Sequence, residues 1–421
     1  LARPGLIIVD EEHDLSYKQQ EGFRYHARDL AVVRARDERI PVVLGSATPS
    51  LESLHNASRG HYRHLHLPER AGRARAPRIG LLDLRHQPLD EGLSPTLIQR
   101  VSEHLDASSQ VLLFVNRRGY APTLLCHECG WVARCRRCDA HLTVHARDAR
   151  LRCHHCGAER PVDPQCPECG SAELLALGLG TQRLEQTLAD RFPGTGIVRI
   201  DRDTTRRRGA MAERLTEVRA GTHRILVGTQ MLAKGHHFPD VTLAAIIDID
   251  QGLFSADFRA PERMAQLVVQ VAGRAGRAER PGEVLIQTHH PEHPLLRTLI
   301  ENGYRVFAEA ALEERRAAGL PPFTSLALLR AEAPRPEAPA RFLEAARRPL
   351  AAAGADEVEL LGPVPAPMEL RGGRYRAQLL LRAERRAPLQ RVLHRALPRL
   401  AELPEARRVR WSLDVDPMEM F

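Results

Sequence analysis

Short apolar runs alternate with stretches of helical periodicity along most of the chain. Leu6–Val9 and Val42–Leu44 have the continuous apolar character of buried parallel strands, and Ala27–Arg36 between them follows a helical pattern. The alternation continues with strand-like runs at Val111–Val115, Ile197–Ile200, Ile225–Val227, Leu243–Ile249 and Glu283–Gln287, and with helical stretches such as Gln182–Arg191 and Pro261–Ala272. This pattern predicts α/β domains built on parallel sheets.

The last part of the chain has a different order of elements. The predicted series is strand Ser325–Arg330, helix Glu337–Ala353, strand Val358–Leu361, strand Tyr375–Arg382, helix Pro388–Leu403 and strand Arg408–Val415. A β-α-β-β-α-β series is typical of ferredoxin-like α+β domains. We therefore predict a separate domain of this type at the C-terminal end.

These patterns predict four regions and a connector. Residues 1–67 form part of a first α/β lobe, and a basic, proline-containing connector follows at 68–78. A second α/β lobe takes up 79–125 and 171–320, and a cysteine-rich insertion at 126–170 interrupts it. Residues 321–421 form the ferredoxin-like domain.

Length and composition agree with several packed domains and with a protein that stays in the cytoplasm. With 421 residues, 43% of them hydrophobic, the chain is long enough for about two to four domains. Its apolar runs are shorter than the ~18 residues that span a bilayer, and its first residues do not resemble a signal peptide. The chain begins at Leu1, close to a strand-like run, so we expect more of this domain upstream.

The formal net charge of +8 favours a polyanionic partner such as nucleic acid. Nearly all of the positive charge is arginine, since Lys18 and Lys234 are the only lysines. A GC-rich genome produces the same excess of arginine. Charge alone therefore leaves nucleic-acid binding and a compositional bias equally open.

All eight cysteines lie in Cys-x-x-Cys pairs, which are Cys126 and Cys129, Cys135 and Cys138, Cys153 and Cys156, and Cys166 and Cys169. Such pairs are typical of tetrahedral Cys₄ zinc sites, so eight ligands predict two structural zinc ions. The loop between the two inner pairs has the length found in zinc ribbons. This favours a nested arrangement, with the inner pairs at one site and the outer pairs at the other. Sequential pairing and iron–sulfur ligation remain alternatives.

Carboxylates follow directly after the first strand-like run. Asp10 and Glu11 would lie at the C-terminal end of a parallel strand, where α/β domains bind ligands. Asp10 is suited to holding Mg²⁺, and Glu11 to orienting and deprotonating a water that attacks a γ-phosphate. Taken alone, acidic residues after a strand are often a helix N-cap. The interpretation therefore depends on the motifs downstream.

Further motifs follow in order along the chain. Gly45–Thr48 places small hydroxyl side chains after a buried strand, and Gly228–Pro239 offers backbone and hydroxyl contacts to phosphates. Gln270–Arg277 places Arg274 and Arg277 three residues apart, on one face if the segment is helical. Guanidinium groups suit the charge of a transferring phosphoryl group. Each segment alone would also fit an ordinary turn or solvated loop.

Together these segments resemble the motifs of superfamily 2 helicases. Motifs II, III, V and VI correspond, in order, to Asp10–His13, Ser46–Thr48, Thr229–Pro239 and Gln270–Arg277, and Asn116–Tyr120 is similar to motif IV of the PriA family of replication-restart helicases. The resemblance covers essentially the whole chain. It implies an α/β fold of RecA-like helicase lobes, the first one truncated, that bind ATP and Mg²⁺ between them. PriA-family proteins are also similar in the nested zinc pairing.

The resemblance implies roles for individual residues. The implied catalytic residues are Asp10, Glu11, Gln270, Arg274 and Arg277, the last as an arginine finger, and the implied nucleotide contacts are Asp10, Glu11, His13, Gly235, Arg274 and Arg277. Thr229 would contact DNA. A Walker A loop needs Gly-Lys followed by Ser or Thr, and neither lysine stands in that context. Motif I and the family's N-terminal DNA-binding domains are expected upstream, so this fragment alone should not hydrolyse ATP.

A cluster of aromatic and basic residues is a candidate DNA contact. The segment Leu15–Tyr25 contains Tyr17, Lys18, Phe23, Arg24 and Tyr25 in a chain with only 4% aromatic residues. Stacking platforms with interleaved cations hold single strands without sequence preference. A loop that packs its aromatic rings against the lobe is the alternative. The resemblance favours DNA, since PriA-family helicases carry an aromatic-rich loop after motif II that couples DNA binding to ATP hydrolysis.

Near the C-terminus, Arg371 and Arg374 flank two glycines in a basic turn that suits a DNA backbone. An ordinary hairpin turn is the alternative. In the PriA family the C-terminal domain is implicated in branched-DNA recognition and in contacts with single-strand binding protein.

The implied function is that of an ATP-dependent 3′-to-5′ DNA helicase that recognises stalled forks and reloads the replication machinery. Implied partners are branched and single-stranded DNA, single-strand binding protein, PriB, DnaT and the replicative helicase loading machinery. The protein would act as a monomer in the cytoplasm, associated with the nucleoid. One alternative is a RecG-like translocase, which would lack the eight-cysteine insertion. The other is a non-enzymatic, zinc-bearing DNA-binding fragment.

Overall fold

The computed structural model describes residues 4–67, 77–115, 123–137, 141–145, 150–153, 157–176, 181–201, 204–205, 207, 209–229, 232, 238, 240–255, 257–275, 282–354 and 356–420. The motif IV-like segment Asn116–Tyr120 and the greater part of the predicted connector lie outside these residues. So do four predicted site residues, which are Cys138, Cys156, Gly235 and Arg277.

The first-lobe segment, residues 4–67, is a small α/β unit. Strand β1 (Ile7–Val9) pairs in parallel with β2 (Val42–Leu44), and the connection between them contains a 3₁₀ turn (Leu15–Tyr17) and helix α1 (Ala27–Glu38). Helix α2 (Leu51–Ser58) follows β2 and is capped by the hydroxyl of Ser50, which accepts a hydrogen bond from the backbone N–H of Ser53. The predicted alternation of strand and helix is thus observed.

The second lobe begins with β3 (Arg78–Asp83), α3 (Pro95–Asp106) and β4 (Gln110–Phe114). The chain then enters the cysteine-rich insertion, whose strands are β5 (Leu124–Cys126), β6 (Thr143–His145), β7 (Arg150–Arg152), β8 (Glu159–Pro161) and β9 (Leu174–Ala176). β5 pairs antiparallel with β9, and β7 pairs antiparallel with β6 and β8. Because β5 and β9 pair, the two ends of the insertion lie next to each other where they join the second lobe.

After the insertion the second lobe continues with α4 (Thr181–Arg191), β10 (Ile197–Ile200), α5 (Ala210–Arg219), β11 (Ile225–Gly228), β12 (Val241–Ile246), α6 (Asp250–Phe254), α7 (Ala260–Ala272), β13 (Glu283–Thr288) and α8 (Pro294–Ala317). Its strands pair in parallel in the order β10-β11-β4-β12-β13-β3. The central strands are buried along their whole length, as their continuous apolar runs require. The strand predicted at Leu243–Ile249 is wrong at its end, because β12 stops at Ile246 and α6 begins at Asp250.

Both faces of this sheet carry a hydrophobic core. Leu97 of α3 and Leu184 of α4 are fully buried on one face, and Val268 of α7 and Leu296 of α8 are buried on the other. Leu51 of the first-lobe helix α2 belongs to the second of these cores and has no exposed surface. The two lobes therefore share apolar packing. In the part of the chain that the structure describes, none of the helices is long and apolar enough to cross a membrane.

The C-terminal domain consists of β14 (Ser325–Ala333), α9 (Glu337–Gly354), β15 (Glu359–Arg371), β16 (Arg374–Ala383), α10 (Arg386–Glu402) and β17 (Arg410–Val415). The antiparallel sheet has the order β15-β16-β14-β17, which confirms the ferredoxin-like prediction. The strand predicted at Val358–Leu361 is too short, because β15 continues to Arg371. The prolines that follow Leu361 in β15 argue against a strand, so the sequence pattern did not predict this part. Prolines are tolerated there because β15 lies at the edge of the sheet.

Candidate nucleotide cleft, zinc centre and DNA contacts

The backbone turns sharply at the end of β1 and separates the motif II carboxylates. Glu11 has a φ of 48°, in the left-handed region that non-glycine residues rarely adopt. Its N–H donates to Oδ1 of Asp10 at 3.0 Å. As a result Asp10 and Glu11 are exposed, whereas Glu12 is only 1% exposed. The exposed pair presents the hard oxygen atoms that Mg²⁺ and an attacking water require.

Glu12, to which the sequence analysis assigned no role, holds the start of α2. Its Oε1 accepts from the backbone N–H of Ser50 at 2.6 Å. Its Oε2 accepts from the guanidinium of Arg28 at 3.0 Å and from the hydroxyl of Ser53 at 3.1 Å. Motif II is therefore anchored to the helix that follows motif III.

His13 joins motifs II, III and VI. Its Nδ1 lies 2.7 Å from Oγ of Ser46, and its Nε2 lies 2.7 Å from Nε2 of Gln270 in the second lobe. Because the Gln270 amide donates to Nε2, the ring proton is on Nδ1 and is donated to Ser46. Burial lowers the pKa of His13, which favours this neutral ring. The contact brings Gln270 of motif VI to the motif II strand end, as the helicase interpretation requires.

Buried ion pairs support this contact between the lobes. Oε1 of Glu262 in α7 accepts from the backbone N–H of Leu51 at 2.9 Å, and its Oε2 lies 2.7 Å from the guanidinium of Arg315 in α8. Glu52 of α2 pairs with Arg259 at the start of α7. Although burial opposes ionisation, the two arginines, Arg259 and Arg315, hold the pKa of Glu52 well below its usual range. No role was predicted for Arg259 and Glu262 from the sequence, although charged residues at the start of a mostly apolar helix could have indicated a buried contact.

Two other predicted site residues of the second lobe, Arg274 and Thr229, are partly or fully buried. Arg274 lies directly after α7 and is half-buried, whereas Gly235 and Arg277 lie outside the described residues. Thr229 follows β11 and is only 4% exposed. Its side chain is therefore buried in this conformation, and its contact with DNA stays a prediction.

The outer cysteine pairs come together as a compact cluster. The sulfur atoms of Cys126, Cys129, Cys166 and Cys169 all lie within 4.8 Å of one another. Distances of 3.6 Å separate Cys126 from Cys169 and Cys129 from Cys166. A tetrahedron with Zn–S distances of about 2.3 Å has edges of about 3.8 Å, so the cluster fits zinc. Burial and the neighbouring thiols raise the pKa of Cys129 to about 12, and a cation at the centre would stabilise the thiolates.

This arrangement is the outer half of the predicted nested pairing. Of the inner set, Cys135 and Cys153 are described, whereas Cys138 and Cys156 lie outside the described residues. The inner site therefore stays a prediction.

A polar relay connects the outer cysteine cluster to the sheet of the second lobe. His127, between Cys126 and Cys129, lies with Nδ1 3.0 Å from Nε2 of His289. Nδ1 of His289 lies 2.8 Å from Oδ2 of Asp250. All three side chains are buried. The relay holds the cysteine-rich insertion in a defined position against the ends of β12 and β13.

The aromatic loop, defined here as residues 15–26, projects from the first lobe beside motif II. Phe23 at its tip is 84% exposed, and its ring centroid lies 6.2 Å from that of Tyr25, which is 39% exposed. The hydroxyl of Tyr17 donates to the backbone carbonyl of Asp10 at 2.7 Å. The loop therefore connects an exposed aromatic tip to the backbone at Asp10.

The two basic residues of the loop point to the C-terminal domain. Lys18 is only 4% exposed and lies 2.8 Å from Oδ1 of Asp414, and Arg24 lies 3.8 Å from Oδ2 of the same carboxylate. In this conformation the ammonium group of Lys18 is buried against a carboxylate that Arg330 also contacts at 3.1 Å, and the DNA contact of Lys18 stays a prediction. Arg24 also has a partner within the protein, but it retains some exposure.

Arg371 and Arg374 face each other across the β15–β16 hairpin, which is closed by Gly372 and Gly373. The two glycines have φ values of 56° and 73°, as a tight hairpin turn needs. Arg371 is exposed and Arg374 half-buried. The segment is thus an ordered hairpin turn, with a basic side chain available at its end.

Comparisons with known proteins agree with this geometry. Residues 316–418 match the primosomal protein N C-terminal domain, residues 135–161 match the PriA DNA helicase Cys-rich region, and residues 175–279 match the helicase conserved C-terminal domain. Replication restart protein PriA of Haemophilus influenzae is 51% identical over 416 residues, which cover 99% of this chain. The chain belongs to the PriA family.

The chain spans 57% of the length of the Haemophilus PriA protein. PriA of Bacillus subtilis is 39% identical over 428 residues, covering 99% of this chain and 52% of that protein. PriA of Rickettsia conorii is 37% identical over 420 residues, covering 99% of this chain and 64% of that protein. With relatives at these identities and a matching PriA Cys-rich region, the RecG-like and non-enzymatic alternatives are not favoured.

A basic cleft lies where the two lobes meet the C-terminal domain. It has a volume of about 700 Å³ and is lined by His55, Ser58, Arg59, Arg316, Pro322, Phe323, Ser325, Glu384, Arg385 and Arg386. Arg316 pairs with Glu313, and Arg386 pairs with Asp416. Burial, Arg59 and Arg316 lower the pKa of His55. Four of the lining side chains are arginines and one is a glutamate, so the formal charge of the lining is positive and suits an anionic ligand.

Proposed function

We propose that the full-length protein containing this chain is an ATP-dependent 3′-to-5′ DNA helicase. It would recognise stalled or branched replication forks and initiate primosome assembly for replication restart. The observation that carries the proposal is the contact between His13 and Gln270. It joins the strand end that carries Asp10 and Glu11 to motif VI, so that both lobes can act on one nucleotide.

ATP and Mg²⁺ would bind in the cleft between the lobes. The exposed carboxylate of Asp10 fits Mg²⁺, which when bound neutralises charge on the phosphate oxygens. Glu11 would orient and deprotonate the attacking water, and His13 would keep Gln270 in place. Arg274 and Arg277 would approach the γ-phosphate from the second lobe, with Arg277 as the finger. The phosphate loop would come from the part of the protein upstream of this chain.

DNA contacts would come from several places. The exposed ring of Phe23, with Tyr25 next to it, offers a stacking platform for an unpaired base. Arg24 would contact the phosphate beside that base, and Tyr17 would transmit the position of the loop to Asp10. Arg371 and Arg374 would contact the backbone of branched DNA. Thr229 would contact DNA if its side chain became exposed.

Protein partners would bind at the C-terminal domain and at the basic cleft. The cleft offers the guanidinium groups that an acidic segment of a partner needs, and Arg59 and Arg385 lack a carboxylate partner among the described residues. We assign this cleft to single-strand binding protein. PriB, DnaT and the replicative helicase loading machinery would be further partners, and they would place the protein on the nucleoid in the cytoplasm.

The test is ATP hydrolysis and strand separation by the full-length protein on forked DNA. We expect hydrolysis that depends on DNA and is lost in Asp10→Asn. The chain of 421 residues, assayed alone, should be inactive. Unwinding with the opposite polarity, or full activity of Asp10→Asn, would contradict the proposal.

A further inference from the structure

Residues 414–419, which are the last two residues of β17 and the segment that follows it, form a C-terminal strap that contacts both lobes. The strap turns at Asp416, which has a φ of 52° and whose N–H donates to the carbonyl of Leu326 at 2.9 Å. Beyond this turn Met418 is only 8% exposed. The strap is therefore packed inside the protein and does not extend into solvent.

On the first-lobe side, the strap surrounds the ammonium group of Lys18. Nζ of Lys18 donates to the carbonyl of Val415 at 2.7 Å and to the carbonyl of Asp416 at 3.2 Å, and it lies 2.8 Å from Oδ1 of Asp414. Nζ therefore makes two hydrogen bonds to carbonyl oxygens and an ion pair with Asp414, whose Oδ2 also accepts from Arg330 at 3.1 Å. The side chains of Lys18 and Asp414 are 2% and 1% exposed. Such a buried pair is costly to break from one side only.

On the second-lobe side, the strap contacts the start of α7. Nε of Arg259 donates to the carbonyl of Pro417 at 3.3 Å, and the same guanidinium pairs with Glu52 of the first lobe. Arg259 precedes the helix whose last turn contains Gln270. The strap thus ends beside the helix that carries motif VI.

Lys18 lies at the stem of the aromatic loop. Lys18 forms an antiparallel bridge with His26, and the N–H of Gln19 donates to the carbonyl of Tyr25 at 2.9 Å. The residue before it, Tyr17, is bonded to the carbonyl of Asp10. A displacement of the stem would therefore move both the exposed tip at Phe23 and the backbone at Asp10.

We propose that the C-terminal strap is a latch that holds the aromatic loop, through Lys18 and Asp414, in a position of low ATP hydrolysis until DNA binds. A base that stacks on Phe23 would displace the loop and weaken the contact at its stem. The Asp10 backbone would then be released into its active position. This inference rests on the proposed helicase function and adds the C-terminal domain as its restraint.

The test uses the full-length protein and measures ATP hydrolysis with and without single-stranded DNA. In Asp414→Asn we expect hydrolysis without DNA to rise about fivefold or more, a typical size for coupling between sites, while hydrolysis at saturating DNA stays close to wild type. Asp414→Asn also removes the partner of Arg330, whereas Lys18→Met breaks only the contact of Lys18 from the other side. Lys18→Met should give the same result, which covers the case in which one variant fails to fold. Glu357→Gln, which breaks an exposed pair with Arg391 in the same domain, is the matched control.

Hydrogen exchange gives a second readout that does not depend on catalysis. Amides of residues 17–26 should exchange faster in Asp414→Asn than in wild type without nucleotide, and DNA should have the same effect on wild type. If wild type shows no DNA-dependent hydrolysis, the proposed function fails. If wild type is stimulated but both latch variants keep its low DNA-free rate and its exchange pattern, the latch alone is refuted.

Discussion

Nε2 of His13 lies 2.7 Å from Nε2 of Gln270, and this contact links the motif II strand end to the motif VI helix. Nδ1 of the same ring is bonded to Ser46 of motif III. One neutral imidazole, that of motif II, therefore contacts motif III in the first lobe and motif VI in the second lobe. A movement of the two lobes relative to each other would change the distance between His13 and Gln270.

Gln270→Ala should lower DNA-stimulated ATP hydrolysis of the full-length protein by about tenfold or more, because the lobes lose their direct contact at the nucleotide site. DNA affinity should change little. Steady-state kinetics and fluorescence anisotropy measure the two effects. Gln99→Ala, which removes an exposed glutamine of α3, is the control. An unchanged turnover number in Gln270→Ala would show that the contact has no role in hydrolysis.

Cys129→Ser should reduce the zinc content of the purified protein from about two ions to about one per chain, since a tetrahedral site with a missing thiolate holds zinc poorly. Elemental analysis measures the content directly. Ser171→Ala, next to the same cluster, should retain both ions. Loss of both ions in Cys129→Ser would favour a single site with two ions that share thiolates over two separate Cys₄ sites.

Glu262→Ala should destabilise the contact between the lobes by about 3–5 kcal/mol, because Arg315 would remain buried without its closest partner. The amide of Leu51 would lose its acceptor and exchange faster with solvent. Hydrogen exchange and thermal unfolding test both effects. Glu301→Ala removes an exposed i,i+4 partner of Arg297 and should cost about 0.5 kcal/mol or less. Equal effects of the two substitutions would refute the role of Glu262.

Phe23→Ala should weaken binding of single-stranded DNA by about 1–3 kcal/mol, the contribution of one base stacked on an aromatic ring. Phe23→Tyr keeps the ring and should bind almost as wild type. Fluorescence anisotropy with a labelled oligonucleotide gives the affinities. Stability should not change, because the ring is exposed and its removal leaves no cavity. Wild-type affinity in Phe23→Ala would exclude the loop tip as a stacking platform.

His26 should make stability depend on pH. Burial and the nearby Arg28 lower its pKa from 6.5 to about 4, so the unfolded chain binds a proton more readily than the folded one. Its contribution is fully present above pH 6.5 and is lost as the pH falls towards 4. The loss should reach the order of 1–3 kcal/mol.

Thermal unfolding at pH 7 and pH 5 tests this dependence. His26 is the N-cap residue of α1 and makes no side-chain cap hydrogen bond. His26→Asn removes the titrating group and supplies a capping oxygen, so its unfolding temperature should fall less between the two pH values. An identical fall in both proteins would assign the acid sensitivity to other groups.

Local sequence patterns determined the fold class and the positions of most elements. Continuous apolar runs predicted β4 and β11, because a strand buried on both faces needs an apolar side chain at nearly every position. The spacing of the cysteines predicted metal sites, since two thiolates on one knuckle need no distant partner to be recognised. The motifs between Asp10 and Arg277 are likewise short local patterns, and their order along the chain predicted the helicase lobes.

Tertiary structure alone decided which charged side chains are available to ligands. Asp10, Glu11 and Glu12 are adjacent carboxylates, and only the left-handed turn at Glu11 directs Glu12 into the protein. Lys18 was a plausible DNA contact by composition, yet its ammonium is bonded to Val415, 397 residues further along the chain. Pairs at such separations leave no periodic signal, because each partner alone is compatible with an exposed surface.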